Sequence, residues 1–430
     1  MLPESIRRRL ASLDRWEVWA YSLWGVALLA VCCRTMIWPR IHSLYPIFAL
    51  AAEHWRAGID LYDKSGLDYY RYSPLVAALF VPFSLLPEGL GNVLWRLLSL
   101  AVFMGAVLWW HQRMLAPESS ATAAQPFSSP GEKIRADGRS DSRRTRALLL
   151  LLLLPLTVGN LNNGQSNMLL IGLLLAAVTA ASVERWNLAA ICVVVATVFK
   201  VYPLAIGLLL AAAYPRRMAL RLGLFLGLAL LLPFLMQRPG YVADEYARWL
   251  HHLRYDTRTG ADVQLWYRDL RIIFRVLLTP LSGRCYLLIQ MAGGAATAAL
   301  CLAALRARWP RQRELTLLLG LGCCWMTVLG PATESSTYVL LAPANAWLIV
   351  DAWFRSRPRL LRWHYFAVYA LFILASLVSK FPNGRLPSMV MQPAAGLLLY
   401  GGIVGVALWE IIRARVGTGE QRVPTAARAA

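Results

Sequence analysis

The hydrophobic residues of this 430-residue chain fall into long runs that alternate with short basic segments. Apolar runs of about 20 residues have the length that an α-helix needs to cross a bilayer. The pattern predicts an all-α polytopic membrane protein with about twelve passes and no soluble domain. The predicted spans are, in chain order, 18–37, 90–110, two in 148–181, two in 188–213, 220–236, 286–305, 315–330, 338–354, 364–379 and 393–412.

Two of these apolar runs are interrupted by polar residues. The run 148–181 contains GNLNNGQSN at 159–167, and the run 188–213 contains KVYP at 200–203. Basic residues flank the second run on both sides, so both of its ends are predicted to be cytoplasmic. Irregular backbone inside a membrane must line a cavity or be buried in protein. We therefore interpret each interruption as a turn between two helices. Ten full spans with re-entrant pieces is the alternative.

Polar or mixed segments separate the spans and end the chain. Segment 41–89 is aromatic and mixed in charge, with apolar residues at helical spacing, which predicts a cap of short amphipathic helices on the outer membrane face. Segment 237–285 is a second outer loop. Segment 111–146 is rich in Ser, Ala and Arg, which is typical of a disordered cytoplasmic loop. The tail 413–430 is polar and predicted to be cytoplasmic.

The basic character of the chain fits a membrane better than a nucleic acid. The formal net charge is +21, and the Arg residues cluster between apolar runs. That distribution follows the positive-inside rule and indicates lipid head groups as partners, with both termini cytoplasmic. The seven Cys lie in or beside apolar runs without CxxC spacing, which is typical of small buried residues. We expect no metal, no cofactor and no nucleic-acid partner.

A lysine at membrane depth is the first candidate for chemistry. Lys200 is the only charged residue between Arg185 and Arg216. An ionisable residue inside the membrane is a functional candidate, and a lone ammonium suits a phosphate or a carboxylate. The alternative is a structural ion pair with an acid such as Glu334. That acid could itself be the partner of Lys200 or a catalytic carboxylate.

The predicted topology places further polar residues on the same face as Lys200. A carboxylate there could remove the proton from an acceptor hydroxyl. The acids proposed for this role are, in order, Glu53, Asp68 and Glu334, and each could instead be a solvated loop acid or a helix cap. The residues proposed to bind substrate are Lys200, Arg71, His54, Tyr72, Asn163, Gln165 and Tyr202. The amides at 159–167 have the alternative of a hydrogen-bonded turn.

Five short motifs between Tyr45 and Pro215 occur in the order and spacing of a known family. They are AxxxWRAGxxLYD, RYSPLxAxLxxPxxLLP, LWR, NGQxNxLL and FKxYPLxxxLLL. Together they resemble glycosyltransferase family 87, integral membrane enzymes of the GT-C class akin to polyprenol-phosphate-mannose-dependent mannosyltransferases. The resemblance implies a GT-C-like fold and a hexosyltransferase, with mannose the expected sugar. The donor would be a polyprenyl-phosphate sugar reached from the lipid bilayer, and the acceptor a glycan or glycolipid on the extracytoplasmic face.

The same resemblance implies an inverting transfer, an acid of the first outer loop as base, no strict need for a metal, and short amphipathic helices in that loop. Two positions depart from the family pattern. The family commonly has an Asp just after the first span, where this chain reads PRIHSLY at 39–45, and many members have a late Ser-Trp-x-His-type motif, where it reads PATESSTY at 331–338. The usual base therefore matches no position here.

Two alternatives to an active transferase stay open. The missing motif residues are compatible with a non-catalytic descendant of the family that binds lipid or glycan. A lipid or solute transporter would show an internal repeat with paired broken helices. The sequence contains only one Lys-containing break, which favours the transferase.

Overall fold

The computed structural model describes residues 14–63, 69–115, 131–255, 258, 262–381 and 383–420, without the side chains of 131–140 and 414–420. Regular structure in these ranges is helical throughout, with sixteen α-helices. Eight helical segments are long and apolar enough to cross a membrane, and four shorter apolar helices of 10–17 residues accompany them. The prediction of an all-α polytopic membrane protein is confirmed. Eight such segments do not by themselves establish twelve passes.

The helix bounds follow the predicted apolar runs closely. The helices of the first half are α1 (Arg15–Ile37), α2 (Tyr45–Ala57), α3 (Pro74–Ser84), α4 (Glu88–Trp110), α5 (Gly131–Asn163), α6 (Asn167–Ser182), α7 (Trp186–Phe199) and α8 (Leu204–Ala213). Those of the second half are α9 (Pro215–Leu231), α10 (Pro239–Tyr255), α11 (Leu270–Leu277), α12 (Gly283–Arg306), α13 (Arg311–Cys324), α14 (Ala342–Phe354), α15 (Arg359–Val378) and α16 (Arg385–Glu420). π-Helical turns extend α4 (His111–Leu115) and α13 (Trp325–Leu329), and 3₁₀ turns cover Leu232–Leu235, Val263–Leu265 and Ser335–Leu341.

The first polar interruption is the turn between α5 and α6. Gly164 adopts a left-handed φ of 65° there, which glycine tolerates and most residues do not. Its carbonyl accepts a hydrogen bond from Trp95 Nε1 at 2.8 Å, and Arg96 Nη2 donates to the Asn162 carbonyl at 2.8 Å. A Cβ at Gly164 would lie 3.1 Å from Arg96 Nη1. The LWR motif of α4 therefore holds the turn in place.

The second interruption separates α7 from α8. Pro203 disfavours helical geometry in the residue before it, and α7 ends at Lys200 in extended conformation, with φ −146° and ψ 139°. Helix α8 then starts directly after the proline. The Lys200 side chain therefore leaves the chain at the junction of two short apolar helices.

Segment 41–89, which the sequence predicts to be an outer cap, contains two helices that differ. Helix α2 is amphipathic, with Phe48 and Trp55 buried and Glu53 exposed, and Gly58 ends it at a φ of 69°. Helix α3 is apolar along its length, and its residues 74–78 are all buried, so the prediction of amphipathic helices is wrong for α3. The reason is that α3 is covered on several sides, by α2, by α4 and by α10.

The segment predicted to be disordered is helical where the structure describes it. The helical turn after α4 continues to Leu115, and α5 begins at Gly131, so the prediction for 111–146 is wrong at both ends; residues 116–130 lie outside the described residues. Tertiary contacts explain the helical end of this segment. His111 Nε2 lies 3.1 Å from Thr145 Oγ1, and Arg146 Nε donates to Glu17 Oε1 at 2.9 Å.

Candidate functional site

Polar residues from separate chain segments meet at one end of the helix bundle. The Asn167 amide on α6 receives a hydrogen bond from Tyr202 Oη at 3.1 Å and donates to Ser336 Oγ at 3.1 Å. The Asn160 amide on α5 donates to the Ser336 carbonyl at 3.0 Å. The two helix breaks and the 3₁₀ turn at 335–341 are thus joined directly.

The segment before α3 reaches the same place. Ser73 Oγ donates to the Val198 carbonyl of α7 at 2.8 Å, and Trp249 Nε1 of α10 donates to the Arg71 carbonyl at 3.3 Å. The Arg71 guanidinium lies over the Tyr69 ring at 4.3 Å. Contacts on both sides of the backbone therefore position Arg71.

Glu334 is the carboxylate at this meeting point. Arg71 Nη1 approaches its Oε1 at 3.4 Å, and Arg258 Nη2 approaches the same oxygen at 3.2 Å. Arg258 also stacks on Tyr267 at 4.5 Å from the ring centroid. The Glu334 side chain is about one-third exposed, at 32%, so the pair of ion contacts remains accessible from outside the protein.

Lys200 stands beside this ion cluster without joining it. Its Nζ lies 5.8 Å from the centroid of the Tyr202 ring, and the charges of Glu334 and Arg71 act on it. Within the part of the chain that the structure describes, the ammonium makes no hydrogen bond or ion pair. The ion pair of Lys200 with Glu334 that the sequence left open is therefore absent, since Glu334 is engaged by two arginines instead.

Arg268 adds a fourth cation. Its Nη1 donates to Gln392 Oε1 at 2.9 Å and to Ser388 Oγ at 3.2 Å, both on α16, while its backbone N–H donates to the Thr333 carbonyl at 2.6 Å. Burial lowers the pKa of the Arg268 guanidinium, although arginine remains charged in proteins. Among the described residues, the site thus holds four cations, Arg71, Lys200, Arg258 and Arg268, against the one carboxylate of Glu334.

Several buried polar atoms around the cluster make no hydrogen bond with the residues described. They are Asn160 Oδ1, Gln165 Oε1 and Thr333 Oγ1. Buried polar groups in proteins are nearly always paired, so a group of unpaired acceptors and hydroxyls marks a surface suited to a polar ligand. Within the described ranges, no three His, Cys, Asp or Glu side chains are grouped as metal ligands would be.

The structure brings some of the predicted residues together. Arg71, Lys200, Tyr202 and Glu334 lie in or against the cluster. Tyr72 is buried beside it, with the charges of Glu334 and Arg71 acting on its side chain. These residues are far apart in sequence, and the convergence of the two helix breaks with the 3₁₀ turn is what unites them.

Other predicted residues lie elsewhere. Glu53 is exposed on α2, and no described residue of the cluster contacts it. His54 Nδ1 lies 2.9 Å from the Asp60 carbonyl and secures the turn after α2. The Asn163 carbonyl accepts from the Leu44 N–H at 3.0 Å, as the turn alternative predicts, while the Gln165 side chain is buried near the cluster. Asp68 lies outside the described residues.

Some residues of the cluster were not proposed from the sequence as site residues. They are Arg258, Arg268, Asn160, Asn167, Ser336 and Gln392. The two asparagines belong to the polar break that the sequence marks, so their position carried a signal. Arg258 and Arg268 come from a loop rich in charge, where the sequence alone does not distinguish them from their neighbours.

Comparison with known proteins identifies the family. The profile of glycosyltransferase family 87 matches residues 70–331, which is 262 of the 430 residues. A crystal structure of ArnT from Cupriavidus metallidurans bound to undecaprenyl phosphate shares 15% identity with this chain at a TM-score of 0.37, over 92% of this chain and 79% of that one. A search of curated proteins found no match. The family match covers more than half of the sequence, and the chain therefore belongs to glycosyltransferase family 87.

Proposed function

We propose that this membrane glycosyltransferase transfers a hexose, with mannose the expected sugar, from a polyprenyl-phosphate donor to a glycan or glycolipid. The active site is the cluster around Glu334. In this proposal it faces the extracytoplasmic side of a bacterial-type inner membrane, both termini are cytoplasmic, and segments 41–89 and 237–285 are the outer loops.

The excess of positive charge at the cluster carries the proposal. A polyprenyl-phosphate sugar is a phosphodiester with one negative charge, and its phosphate gains a second negative charge as the bond to the sugar breaks. Preorganised cations at the point where charge develops are usually the largest single contribution to catalysis. Lys200 is the best placed of the four cations to meet the phosphate, because its ammonium has no ionic partner among the described residues.

The helices that carry Lys200 give a lipid donor access to it. Helices α7 and α8 have 14 and 10 residues, which is short of the roughly 20 that cross a bilayer. Their junction therefore lies within the apolar thickness of the membrane in this proposal. The side chains of Val201 and Leu208 next to it are 41% and 58% exposed, which suits contact with a polyprenyl chain.

Glu334 is the proposed base among the three acids considered. It removes the proton from the acceptor hydroxyl as that oxygen attacks the anomeric carbon. Attack from the side opposite the phosphate inverts the anomeric centre and releases polyprenyl phosphate. In this proposal the unpaired polar atoms of Asn160, Gln165 and Thr333 bind sugar hydroxyls.

Lys200→Ala tests the phosphate role directly. Protein reconstituted in lipid nanodiscs would be supplied with radiolabelled polyprenyl-phosphate mannose or other hexoses, and both donor binding and product formation would be measured. We expect the variant to bind donor at least about tenfold more weakly, because a charge-assisted contact in a low dielectric is lost. Lys380→Ala is the matched control, since Lys380 is exposed in the loop before α16. Equal donor affinity and rate in Lys200→Ala would overturn the proposal.

Two further outcomes separate the alternatives. If the unmodified protein binds polyprenyl phosphates but transfers no sugar from any donor, the non-catalytic descendant is the better description. If the protein instead moves intact donor across the bilayer, it is better described as a lipid transporter.

The orientation is tested separately by cysteine labelling from outside intact cells. With the exposed Cys33 and Cys285 replaced by Ser, a membrane-impermeant thiol reagent should label Lys380→Cys and not Ser356→Cys. Labelling of Ser356→Cys alone would place the site on the cytoplasmic face.

A further inference from the structure

A cavity lies at the opposite end of the helix bundle from the Glu334 cluster. It has a volume of about 510 Å³ and is lined by the ends of α13, α14, α15 and α16 and by the turn after α4. Helix α16 contributes Gln392 to the cluster and Glu410 to this cavity. Those residues are 18 positions apart, which corresponds to about 27 Å along a helix. The two sites are therefore separate.

The cavity wall has an excess of positive charge. Its guanidiniums are those of Arg113, Arg313, Arg355 and Arg357, and its carboxylates are those of Asp351 and Glu410. Four cations against two acids leave a net charge of +2. Three of the four arginines are paired with these acids. Arg355 Nε lies 2.8 Å from Asp351 Oδ1, and Arg357 Nη1 donates to Glu410 Oε1 at 3.1 Å. Arg313 also pairs with Glu410. Arg113 is exposed and makes no ion pair with any described residue.

The rest of the wall is apolar and aromatic. Trp309, Trp347 and Ile403 line it, and the Arg313 guanidinium stacks on the Trp309 ring at 4.0 Å. Tyr365 also lines the cavity and is only 2% exposed, yet its buried hydroxyl makes no hydrogen bond with any described residue. A buried hydroxyl without a partner beside a cationic cavity indicates a polar ligand that completes it.

We propose that this cavity binds the head group of an anionic phospholipid. A free phosphate ion needs neither this volume nor apolar walls, whereas a phospholipid presents an anion joined to acyl chains. Exposed apolar side chains near the cavity, such as Leu360 at 85% and Trp409 at 55%, give those chains a surface. Basic pockets between helices at the cytoplasmic side of a membrane bind anionic head groups, and this end of the bundle carries the basic connecting segments.

Two variants test the charge and the fit of the cavity. In protein purified in a neutral detergent, Arg113→Gln combined with Arg355→Gln should bind phosphatidylglycerol about tenfold more weakly, since each arginine near an anionic lipid contributes about a several-fold gain in affinity. Ala344→Phe fills the cavity without changing its charge and should also displace the lipid. Arg359→Gln is the matched control, because Arg359 is exposed in the same basic segment and does not line the cavity. Its affinity for phosphatidylglycerol should be unchanged.

Native mass spectrometry of bound lipid, with phosphatidylglycerol, phosphatidylcholine and inorganic phosphate as separate ligands, gives the readout. Selective retention of phosphatidylglycerol that both variants lose and Arg359→Gln keeps is the expected result. Equal retention of phosphatidylcholine would overturn the proposal, as would displacement of the lipid by millimolar phosphate. If the double variant does not fold, Tyr365→Phe replaces it. Tyr365→Phe removes only the unpaired hydroxyl. If neither Tyr365→Phe nor Ala344→Phe alters the affinity for phosphatidylglycerol, the proposal is overturned.

Discussion

The two ends of the helix bundle carry similar charges but are built differently. Among the described residues, each has four cationic side chains, with one carboxylate at the Glu334 cluster and two at the opposite cavity. The cavity is made mainly from the ends of long helices, and there the acids pair with arginines near them in the bundle. The Glu334 cluster is made from helix breaks, a 3₁₀ turn and loops that are distant in sequence. Among the described residues, the two acids of the cavity offset half of its positive charge, whereas the one carboxylate of the cluster offsets a quarter of its positive charge.

The family motifs contribute to the first end chiefly through packing. Trp95 of the LWR motif donates to the Gly164 carbonyl and stacks on Phe199 of the FKxYP motif, with ring centroids 5.9 Å apart. Ser73 of the RYSP motif bonds to the backbone of α7. Among the charged residues of the cluster, Lys200 and Arg71 belong to motifs, while Glu334, Arg258 and Arg268 do not. The motifs thus describe the scaffold more completely than the chemistry.

The largest expected effect comes from removing the carboxylate of Glu334. Glu334→Gln keeps the shape of the side chain and loses the base, so sugar transfer should fall by about 10²–10⁴-fold. Donor binding should persist, because all four cations remain. Transfer and donor binding would be measured in the same nanodiscs as for Lys200→Ala.

Two other acid variants make this result specific. Glu53→Gln changes an exposed acid on α2 and should leave transfer within about twofold of the unmodified protein, as is usual for surface substitutions. Asp68→Asn tests the remaining candidate. Normal turnover in Glu334→Gln with loss of transfer in Asp68→Asn would move the base to the first outer loop.

The sequence predicted the scaffold well because its signals are local. Apolar runs set the helix positions, and the residues that interrupt them, such as Gly164 and Pro203, have backbone preferences that act within a few positions. The positions of both helix breaks follow from those preferences. The N-terminal part of α5 could not be predicted in this way, because the helix there depends on tertiary contacts such as that between Arg146 and Glu17.

The candidate site was only partly predictable for the same reason. Lys200 is conspicuous in sequence because it is a lone charge in an apolar run. Arg258 and Arg268 lie in a loop with many charges, and their role depends on contacts with residues 76 and 120 positions away. Glu53, the first of the proposed acids, lies close in sequence to the stretch 39–45, where the family commonly has an Asp. That closeness does not bring its side chain to the cluster, because it lies on the exposed face of α2.

A smaller effect, on stability, is expected where segment 41–89 contacts α10. Glu245 on α10 is fully buried; its Oε2 accepts the Leu61 N–H at 3.0 Å, and Arg248 pairs with its other oxygen. Glu245→Ala leaves the Leu61 N–H unpaired and should lower the free energy of unfolding by about 1–3 kcal/mol. Thermal unfolding in detergent would measure this, with Asp244→Ala, which alters the adjacent exposed acid, as the control. Equal losses in both variants would show that the bond to Leu61 does not secure the cap.

The contribution of Glu245 to stability should depend on pH, and the sign of that dependence follows from its pKa. Burial raises the pKa of Glu245 above its ordinary value of 4.5, although the Leu61 N–H and Arg248 oppose the shift. The folded state therefore binds a proton more tightly than the unfolded state, so this group's contribution to stability decreases as pH rises through the range above 4.5. Glu245→Gln cannot titrate and should lose this dependence. A stability difference between the unmodified protein and Glu245→Gln that does not change between acidic and neutral pH would contradict the assignment.

The smallest effect is expected at the opposite end of the bundle. Arg359→Gln removes an exposed charge from the first residue of α15, at the end of the bundle away from the Glu334 cluster. Exposed charges beyond about 8 Å are screened at physiological ionic strength, and Gln392 and Glu410, which mark the two sites on α16, are separated by about 27 Å along the helix. Sugar transfer should therefore change by less than about twofold, measured in nanodiscs of fixed lipid composition. A tenfold loss of transfer would mean that the basic end acts on the cluster through the long helices that connect them, and the two ends could then no longer be treated as independent sites.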